Sequence, residues 1–443
     1  MYLPPYVLNC INALEAAGFA AYAVGGCVRD ALLGLEPQDY DLCTAALPEQ
    51  TEAVFADRRL VLAGKKHGTV GVITEEGVVE ITTFRTEGAY LDNRHPEWVE
   101  FVEDVTGDLA RRDFTVNAMA FSPTRGFADP FGGREDLQNQ ILRAVGDPEQ
   151  RFREDSLRIL RGARFAAKYR LEPDPETKQA MFALSGLMEN LARERVFEEL
   201  GKLLLHCDAR RLLEFSPIVT AVIPELAPCV GFDQHNPHHL YDIFEHTARV
   251  VEAVPPVPAL RWAALLHDVG KPASFTQEEN GRGHFYGHPR ISAELADRIL
   301  RRLKAPTALR EDVVFLCDRH MVTLEPDPKI LRRRLNQYGE ERTRLLLPLQ
   351  RADLLGTGTR TGDEAAFFHT VEACLRDLLA QAQCFRIKDL AVNGNDLMAL
   401  GLQGKAIGQT LQYLLEQVME ERIPNEKAAL LEACNATPRP PHL

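Results

Sequence analysis

The stretch from Val24 to Asp41, VGGCVRDALLGLEPQDYD, constrains this chain more than any other. It continues a short apolar run, Ala21 to Val24, whose composition predicts a strand. Gly25 and Gly26 let the backbone turn and leave N–H groups free to face an anion. Val28 to Leu33 has the spacing of one or two helical turns, and Gly34 stands where a C-terminal cap belongs. Asp39-Tyr40-Asp41 follows. If it is extended, residues two apart point the same way, so the carboxylates share one side and Tyr40 takes the other. Two carboxylates held together without a basic partner repel each other and attract a cation. Hard oxygen ligands beside a phosphate cradle suit Mg²⁺. This is the outline of a phosphoryl- or nucleotidyl-transfer site. A glycine turn before a solvated acidic loop uses the same letters, and only the combination at this spacing favours the site.

The length of 443 residues is too great for one simple core and predicts three or four domains. No apolar run approaches the roughly 20 residues of a membrane helix. The nine cysteines are scattered without a CxxC pair, which predicts reduced thiols and a cytoplasmic location. The net charge of -13 argues against a surface coated for nucleic-acid binding, though not against a local basic groove.

Taken in order, Tyr6 to Ala17 has helical apolar spacing closed by Gly18. Thr69 to Thr74 and Val78 to Phe84 are β-branched runs that predict a hairpin through Glu75-Glu76-Gly77. On its second strand, Glu80 sits among apolar neighbours as a third metal carboxylate or an edge charge. Phe84 to Phe101 mixes Arg, acids, Gly and Pro and predicts a mobile loop ending in a strand. Arg111 and Arg112 can hold phosphate oxygens through paired hydrogen bonds. Asp113 and Asn117 would share a face if helical, and both can bond a sugar hydroxyl. Asp129 to Gly133 reads as a turn.

Pro148 to Tyr169 predicts one strong helix with Phe152, Leu157, Leu160 and Phe165 on its apolar side. Glu154 and Arg158 are four apart, Asp155 and Arg158 three apart, and Arg161 and Arg164 extend the row. An amphipathic helix with surface ion pairs would use the same residues. Further helices through Leu205 carry Arg193, Glu194 and Arg195. The Pro-rich stretch Ile223 to Pro237 predicts a boundary. Beyond it lie His246, His267-Asp268, His288, His320 and Asp353. Imidazole and carboxylate ligands suit Mn²⁺, Ni²⁺ or Fe²⁺ better than Mg²⁺. Leu354 to Gly362 predicts a loop, Glu372 to Gln383 a helix, and Ala436 to Leu443 a frayed end.

GGCVRDALLG with DYD (25–41), FRTEGAYLDNRHP (84–96), RRDFTVNAMA (111–120), DPFGG (129–133) and EDSLR (154–158) stand in the order of a known family. With them the chain resembles the class II bacterial tRNA nucleotidyltransferases, the CCA-adding enzymes of the poly(A) polymerase and polymerase-β-like superfamily. The second half resembles an HD-type phosphohydrolase domain, with a complete ligand set at His246, His267, Asp268, His288, His320 and Asp353. NGNDLMALGLQGKAIG is similar to the tails of HD-bearing members.

The resemblance implies an α+β nucleotidyltransferase head with a small mixed sheet over 1–140 and an all-α remainder. The remainder would comprise a helical nucleotide-selecting neck over 141–222, an HD-type domain over 238–360 and a tRNA-binding tail over 361–443. It implies tRNA, ATP and CTP as partners, neither membrane nor DNA, and a monomer or weak dimer. Asp39 and Asp41 would hold two Mg²⁺ ions, and Gly25, Gly26 and Arg29 would cradle the triphosphate. Asp113 would bond the ribose 2′-hydroxyl.

Base choice then has a physical rationale. Asp155 only accepts hydrogen bonds and Arg158 only donates them. Cytosine and adenine both set an amino donor beside a ring acceptor, and uracil and guanine reverse that polarity. Glu154 would orient Arg158. The intact 84–101 loop implies full CCA addition. The readings left open are an A-adding enzyme, a poly(A) polymerase, an HD phosphodiesterase with an RNA-binding N-terminal half, and a non-catalytic RNA-binding protein. The HD segment would add phosphohydrolase activity with Ni²⁺ or Mn²⁺, or serve as a helical scaffold.

Overall fold

The computed structural model describes residues 1–87, 99–359, 363–380 and 384–436. The chain divides into two units, Met1–Ala227 with Arg302–Ala305, and Pro228–Arg301 with Pro306–Leu443. The division falls inside the Pro-rich stretch, where proline interrupts regular structure. Among the described residues no helix is long and apolar enough to cross a membrane.

The first unit opens with α1 (Pro5–Ala16), which buries Val7, Ile11 and Leu14 at helical spacing. β1 (Ala21–Val24), α2 (Gly26–Leu32), β2 (Asp41–Thr44), α3 (Pro48–Val54), β3 (Leu60–Val61), β4 (Thr69–Ile73) and β5 (Val78–Thr83) follow. β6 (Arg85–Glu87) pairs with β7 (Val99–Phe101). The expected loop at 84–101 therefore begins and ends in strands, and residues 88–98 lie outside the described ones. α4 (Val105–Ala110), β8 (Ala120–Ser122), β9 (Gly126–Ala128) and α5 (Gly133–Gln138) complete the head.

The main sheet runs β3-β4-β5-β2-β1-β8-β9. It is mixed, since β2 and β5 are parallel while β1 pairs antiparallel with β2 and β8. The register sets Asp41 beside Glu80, so the two side chains leave the same face.

β10 (Ile141–Leu142) leads into α6 (Pro148–Glu154) and α7 (Leu157–Tyr169). β11 (Glu172–Pro173), α8 (Pro175–Ala183), α9 (Arg193–His206), α10 (Ala209–Glu214) and α11 (Ser216–Val222) follow. The single helix expected over Pro148–Tyr169 is broken at Asp155-Ser156. Asp155 is extended (φ -140, ψ 101), and its Oδ1 accepts from the Leu157 N–H at 3.0 Å. A short acidic side chain that satisfies the next helix's free N–H competes with helix continuation.

Residues 111–118, where Asp113 and Asn117 would share a face if helical, are not an α-helix either. Arg111 caps the end of α4, Phe114 is extended, and Thr115–Asn117 is a single 3₁₀ turn. Burial of Phe114, with its bridge to Ala144, overrides the helical spacing. Asp113 and Asn117 meet nonetheless, Asn117 Nδ2 donating to Asp113 Oδ1 at 3.0 Å.

The second unit contains α12 (Ile243–Ala253), α13 (Pro258–Leu266) and α14 (Lys271–Ser274). The β12 (Phe275–Gln277) and β13 (Gly283–Phe285) hairpin comes next. Then come α15 (His288–Arg302), α16 (Thr307–Arg319), α17 (Pro328–Tyr338), α18 (Glu340–Gly356), α19 (Asp363–Ala380), α20 (Gly394–Ala399), α21 (Lys405–Met419) and α22 (Lys427–Ala436). The loop expected from Leu354 starts later, because α18 continues to Gly356. A Cβ at 356 would stand 2.8 Å from Val250 Cγ2 and 3.3 Å from His246 Nδ1, so glycine there lets α18 close on α12. Leu397, Leu411, Leu414, Leu415 and Leu430 form a separate apolar core toward the C-terminus.

Candidate functional site

The glycine turn sits at the mouth of a cleft of about 730 Å³ in the first unit. Gly25 has φ +76, and a Cβ there would lie 2.6 Å from Arg112 Nη1. The conformation requires glycine, and a Cβ there would push aside the Arg112 guanidinium that lies over the turn. Gly26, Asp39, Asp41, Arg111 and Arg112 line the cleft. Tyr40 is buried against Tyr6, ring centroids 6.1 Å apart and perpendicular, while Asp39 and Asp41 are exposed.

Asp41 is exposed, yet surrounding protein still raises its pKa by desolvation. Arg112 opposes that rise, and the charges of Glu80 and Asp39 add to it. Three carboxylates thus press on one another around Asp41, which a divalent cation would relieve. The donor chemistry fits hard oxygen ligation. Glu80 does not line the cleft, so its contribution in this conformation is charge from the neighbouring strand.

Arg111 and Arg112 are aimed by a fully buried acid that spacing alone does not single out. Asp108 accepts from Arg111 at 2.8 Å and from Arg112 at 3.4 Å. Arg29 lines the cleft, but its guanidinium is engaged inside the protein. It is 5% exposed and donates to Asp30 at 2.7 Å, to Asn117 Oδ1, and to the Tyr169 hydroxyl at 2.5 Å. Its guanidinium also lies 4.1 Å from the Tyr169 ring centroid. With its donors occupied inside the protein, Arg29 pins α2 to α7.

Asp113 is likewise committed. Oδ1 accepts from Asn117 and from the Phe114 N–H at 2.8 Å, and Oδ2 accepts from Arg161 at 2.8 Å. Burial alone would raise its pKa, but the Arg161 charge and the Asn117 hydrogen bond outweigh it and bring it down to about 2. The carboxylate is therefore fixed and ionised, with little acceptor capacity left for a sugar hydroxyl.

Glu154, Asp155 and Arg158 come together, but not as one Asp–Arg pair. Arg158 Nη1 donates to Glu154 Oε2 at 2.9 Å, and its Nη2 donates to the Arg111 carbonyl at 3.0 Å. Asp155 Oδ2 accepts instead from Arg195 Nη2 at 2.9 Å. Arg164 is turned to Glu199 and stacks 4.1 Å from the Phe165 ring centroid. Arg195, Glu199, Asp108 and Tyr169 are the residues that spacing did not assign. The partners of Glu199, Arg195 and Tyr169 lie 35, 40 and 140 positions away, beyond any local pattern, whereas those of Asp108 stand three and four positions on.

The second unit gathers the six histidine and aspartate residues into one buried region. Their ligand atoms form two groups that share Asp268, one with His246, His267 and Asp353 and the other with His288 and His320. Nδ1 of His267, His288 and His320 lies 2.7–2.8 Å from the carbonyls of Ala264, Phe285 and Cys317. As neutral rings these donate Nδ1–H outward and turn Nε2 lone pairs inward. His246 and His267 face each other Nε2 to Nε2 at 3.2 Å, as do His288 and His320. Burial lowers the His320 pKa to about 4. At His267 burial acts the same way but Asp268 outweighs it, raising the pKa to about 10. The cluster calls for positive charge, and its donors fit a divalent transition metal.

A family model described as the poly(A) polymerase head domain matches residues 21–143. One described as a probable RNA- and SrmB-binding site of polymerase A matches 170–229, and a putative tRNA nucleotidyltransferase domain 2 matches 275–434. The CCA-adding enzyme of Levilactobacillus brevis is 33% identical over 427 residues, covering 96% of this chain and 95% of that one. The chain belongs to the CCA-adding enzymes. The CCA-adding enzyme of Streptococcus gordonii is 34% identical over 425 residues, with 96% and 95% coverage. Among solved structures, the Bacillus stearothermophilus CCA-adding enzyme in complex with CTP superposes at a TM-score of 0.73. It shares 30% identity, with 98% of each chain covered. The Thermotoga maritima CCA-adding enzyme complexed with tRNA shares the fold at a TM-score of 0.60 and 20% identity. As a CCA-adding enzyme this chain is a nucleotidyltransferase with an α+β head and a helical remainder.

Proposed function

We propose that this chain adds CCA to the 3′ end of tRNA, using CTP and ATP and no nucleic-acid template. The observation that carries the reading is the single cleft lined by Asp39, Asp41, Arg111, Arg112, Asp155 and Arg158. Its acids suit a pair of Mg²⁺ ions, which when bound would lower the pKa of the RNA 3′-hydroxyl and offset charge on the leaving pyrophosphate. Arg111 and Arg112, oriented by Asp108, bind phosphate oxygens through their remaining N–H groups. Arg158 donates to the ring acceptor of cytosine or adenine, and Asp155 accepts from the exocyclic amine. Asp113 supports the cleft by orienting Arg161 and Asn117, and it meets the ribose only if one of those bonds yields.

The test is incubation with tRNA lacking its 3′ end, labelled CTP and ATP, and Mg²⁺. Addition of CCA is expected from the wild type, and none when Asp39 and Asp41 are both changed to Ala. Full incorporation by that double variant overturns the proposal. A chain that extends only tRNA ending in CC, or that adds long runs of A, would instead match the A-adding or poly(A) reading.

A second activity is favoured by the buried histidine–aspartate cluster. We read it as an HD-type metal-dependent phosphohydrolase centre acting on phosphate esters such as 2′,3′-cyclic nucleotides, with Ni²⁺ or Mn²⁺ held by His246, His267, Asp268, His288, His320 and Asp353. Support comes from the inward-facing Nε2 atoms and the shared Asp268. Lys271 Nζ, 2.7 Å from Asp268 Oδ2 and 2.8 Å from Gln234 Oε1, fixes the carboxylate. Hydrolysis of a 2′,3′-cyclic nucleotide with either metal, lost in His267→Ala, is the expected result. No hydrolysis with either metal overturns it.

A further inference from the structure

Asp155 and Arg158 can read a base only if each keeps hydrogen-bonding groups for it, and two opposite charges three residues apart tend to neutralise each other instead. In this structure each is held by a third residue. Arg158 is held by Glu154 and the Arg111 carbonyl, and Asp155 by Arg195 at 2.9 Å. Arg195 stands in the first turn of α9, which packs along α7. One turn further on, Glu199 of the same helix holds Arg164. Helix α9 thus acts as a rack behind α7, with an anchor at each end of the row of charged residues.

We infer that Arg195 determines nucleotide selectivity by holding the Asp155 carboxylate out of a direct ion pair with Arg158 or Arg161. The inference rests on Asp155 reading the base, as proposed above. A carboxylate has about four lone-pair directions. Leu157 N–H occupies one on Oδ1 and Arg195 one on Oδ2, which leaves acceptor capacity for an exocyclic amine. Asp155, Arg158 and Arg195 all line the cleft, so the held carboxylate is presented where the base must lie. Asp155 already acts electrostatically on Arg161, whose Nε and Nη2 face Asp113, so Asp155 can compete for that cation once Arg195 is gone. Capture would remove the acceptor that favours cytosine over uracil and adenine over guanine. Arg195 is a positioning residue, since it acts through Asp155.

The test measures kcat/KM for CTP against UTP, and for ATP against GTP, in the full chain and its R195A, D155A and R195A/D155A variants. R195A is expected to lower both selectivity ratios by about 10-fold or more, the scale of one charge-assisted hydrogen bond. D155A is expected to lose the ratios by itself, with no further loss on adding R195A. If R195A does not fold, R195Q, similar in length and uncharged, is judged by the same ratios. An even fall in rate for all four nucleotides, with both ratios within about twofold of wild type, overturns the inference and leaves Arg195 a packing residue. A further loss of selectivity in the double variant also overturns it. Wild-type ratios in D155A would overturn the reading of Asp155 itself, and the inference with it.

Discussion

Asp113 shows how far a residue's role depends on what surrounds it. Asp beside Asn four positions on suggested a sugar ligand, and the structure instead holds the carboxylate with Arg161, Asn117 and the Phe114 N–H. Its folded pKa of about 2 lies below the ordinary 3.8, so its contribution to stability is present above about pH 4 and lost as the pH falls toward 2. The shift corresponds to about 2 kcal/mol at neutral pH. Urea unfolding of Asp113→Asn should show that loss at pH 7, with the gap to wild type closing between pH 4 and pH 2. A gap that persists at pH 2 would assign the loss to packing rather than ionisation. Arg29 teaches the same lesson with the opposite charge, since a cation beside a glycine turn is here spent on Asn117 and Tyr169.

At the scale of elements, apolar periodicity located most helices and strands but not the break between α6 and α7. Glu, Asp and Ser all occur within helices in general, and no proline or glycine at 154–156 forbids a continuous one. The break depends on Asp155 turning to the Leu157 N–H and to Arg195, forty positions away. Two glycines mark where elements meet closely. At Gly162 on α7, a Cβ would lie 2.9 Å from Phe114 Cζ and 3.1 Å from Met181 Cε. Gly162→Ala should gain about 1 kcal/mol of helix propensity and lose about 1–3 kcal/mol to overpacking. Thermal melting should therefore show a net fall in Tm, and an unchanged or higher Tm would mean that Met181 absorbs the methyl. At Gly25 the positive φ and the Arg112 guanidinium act together. Gly25→Ala should keep its circular dichroism spectrum while nucleotide incorporation falls at least about tenfold, for a misplacement costing about 1–3 kcal/mol.

For the whole molecule, the two units carry two separate candidate sites. The cleft lies within the first and the histidine–aspartate cluster within the second. Mn²⁺ or Ni²⁺ at a hundredfold excess over its dissociation constant should stabilise the second unit by about 2.7 kcal/mol. Calorimetry should show that shift in wild type and not in His267→Ala, while CCA addition by the variant continues. The net charge of -13 is compatible with the proposed RNA binding, because seven arginines line the cleft. The sequence by itself determined the family, the mixed-sheet head, the glycine turn, the paired Asp39 and Asp41, and the inventory of six metal-type donors. These are local patterns of residue type and spacing, and local patterns express steric and hydrogen-bonding rules that need no distant partner. Only the tertiary structure decided that Asp155 pairs with Arg195, that Arg29 and Asp113 are engaged inside the protein, and that Asp268 joins two groups of histidines. Each of those depends on which oppositely charged or lone-pair-bearing atoms approach within a few ångströms, and chain packing sets that across tens to more than a hundred residues.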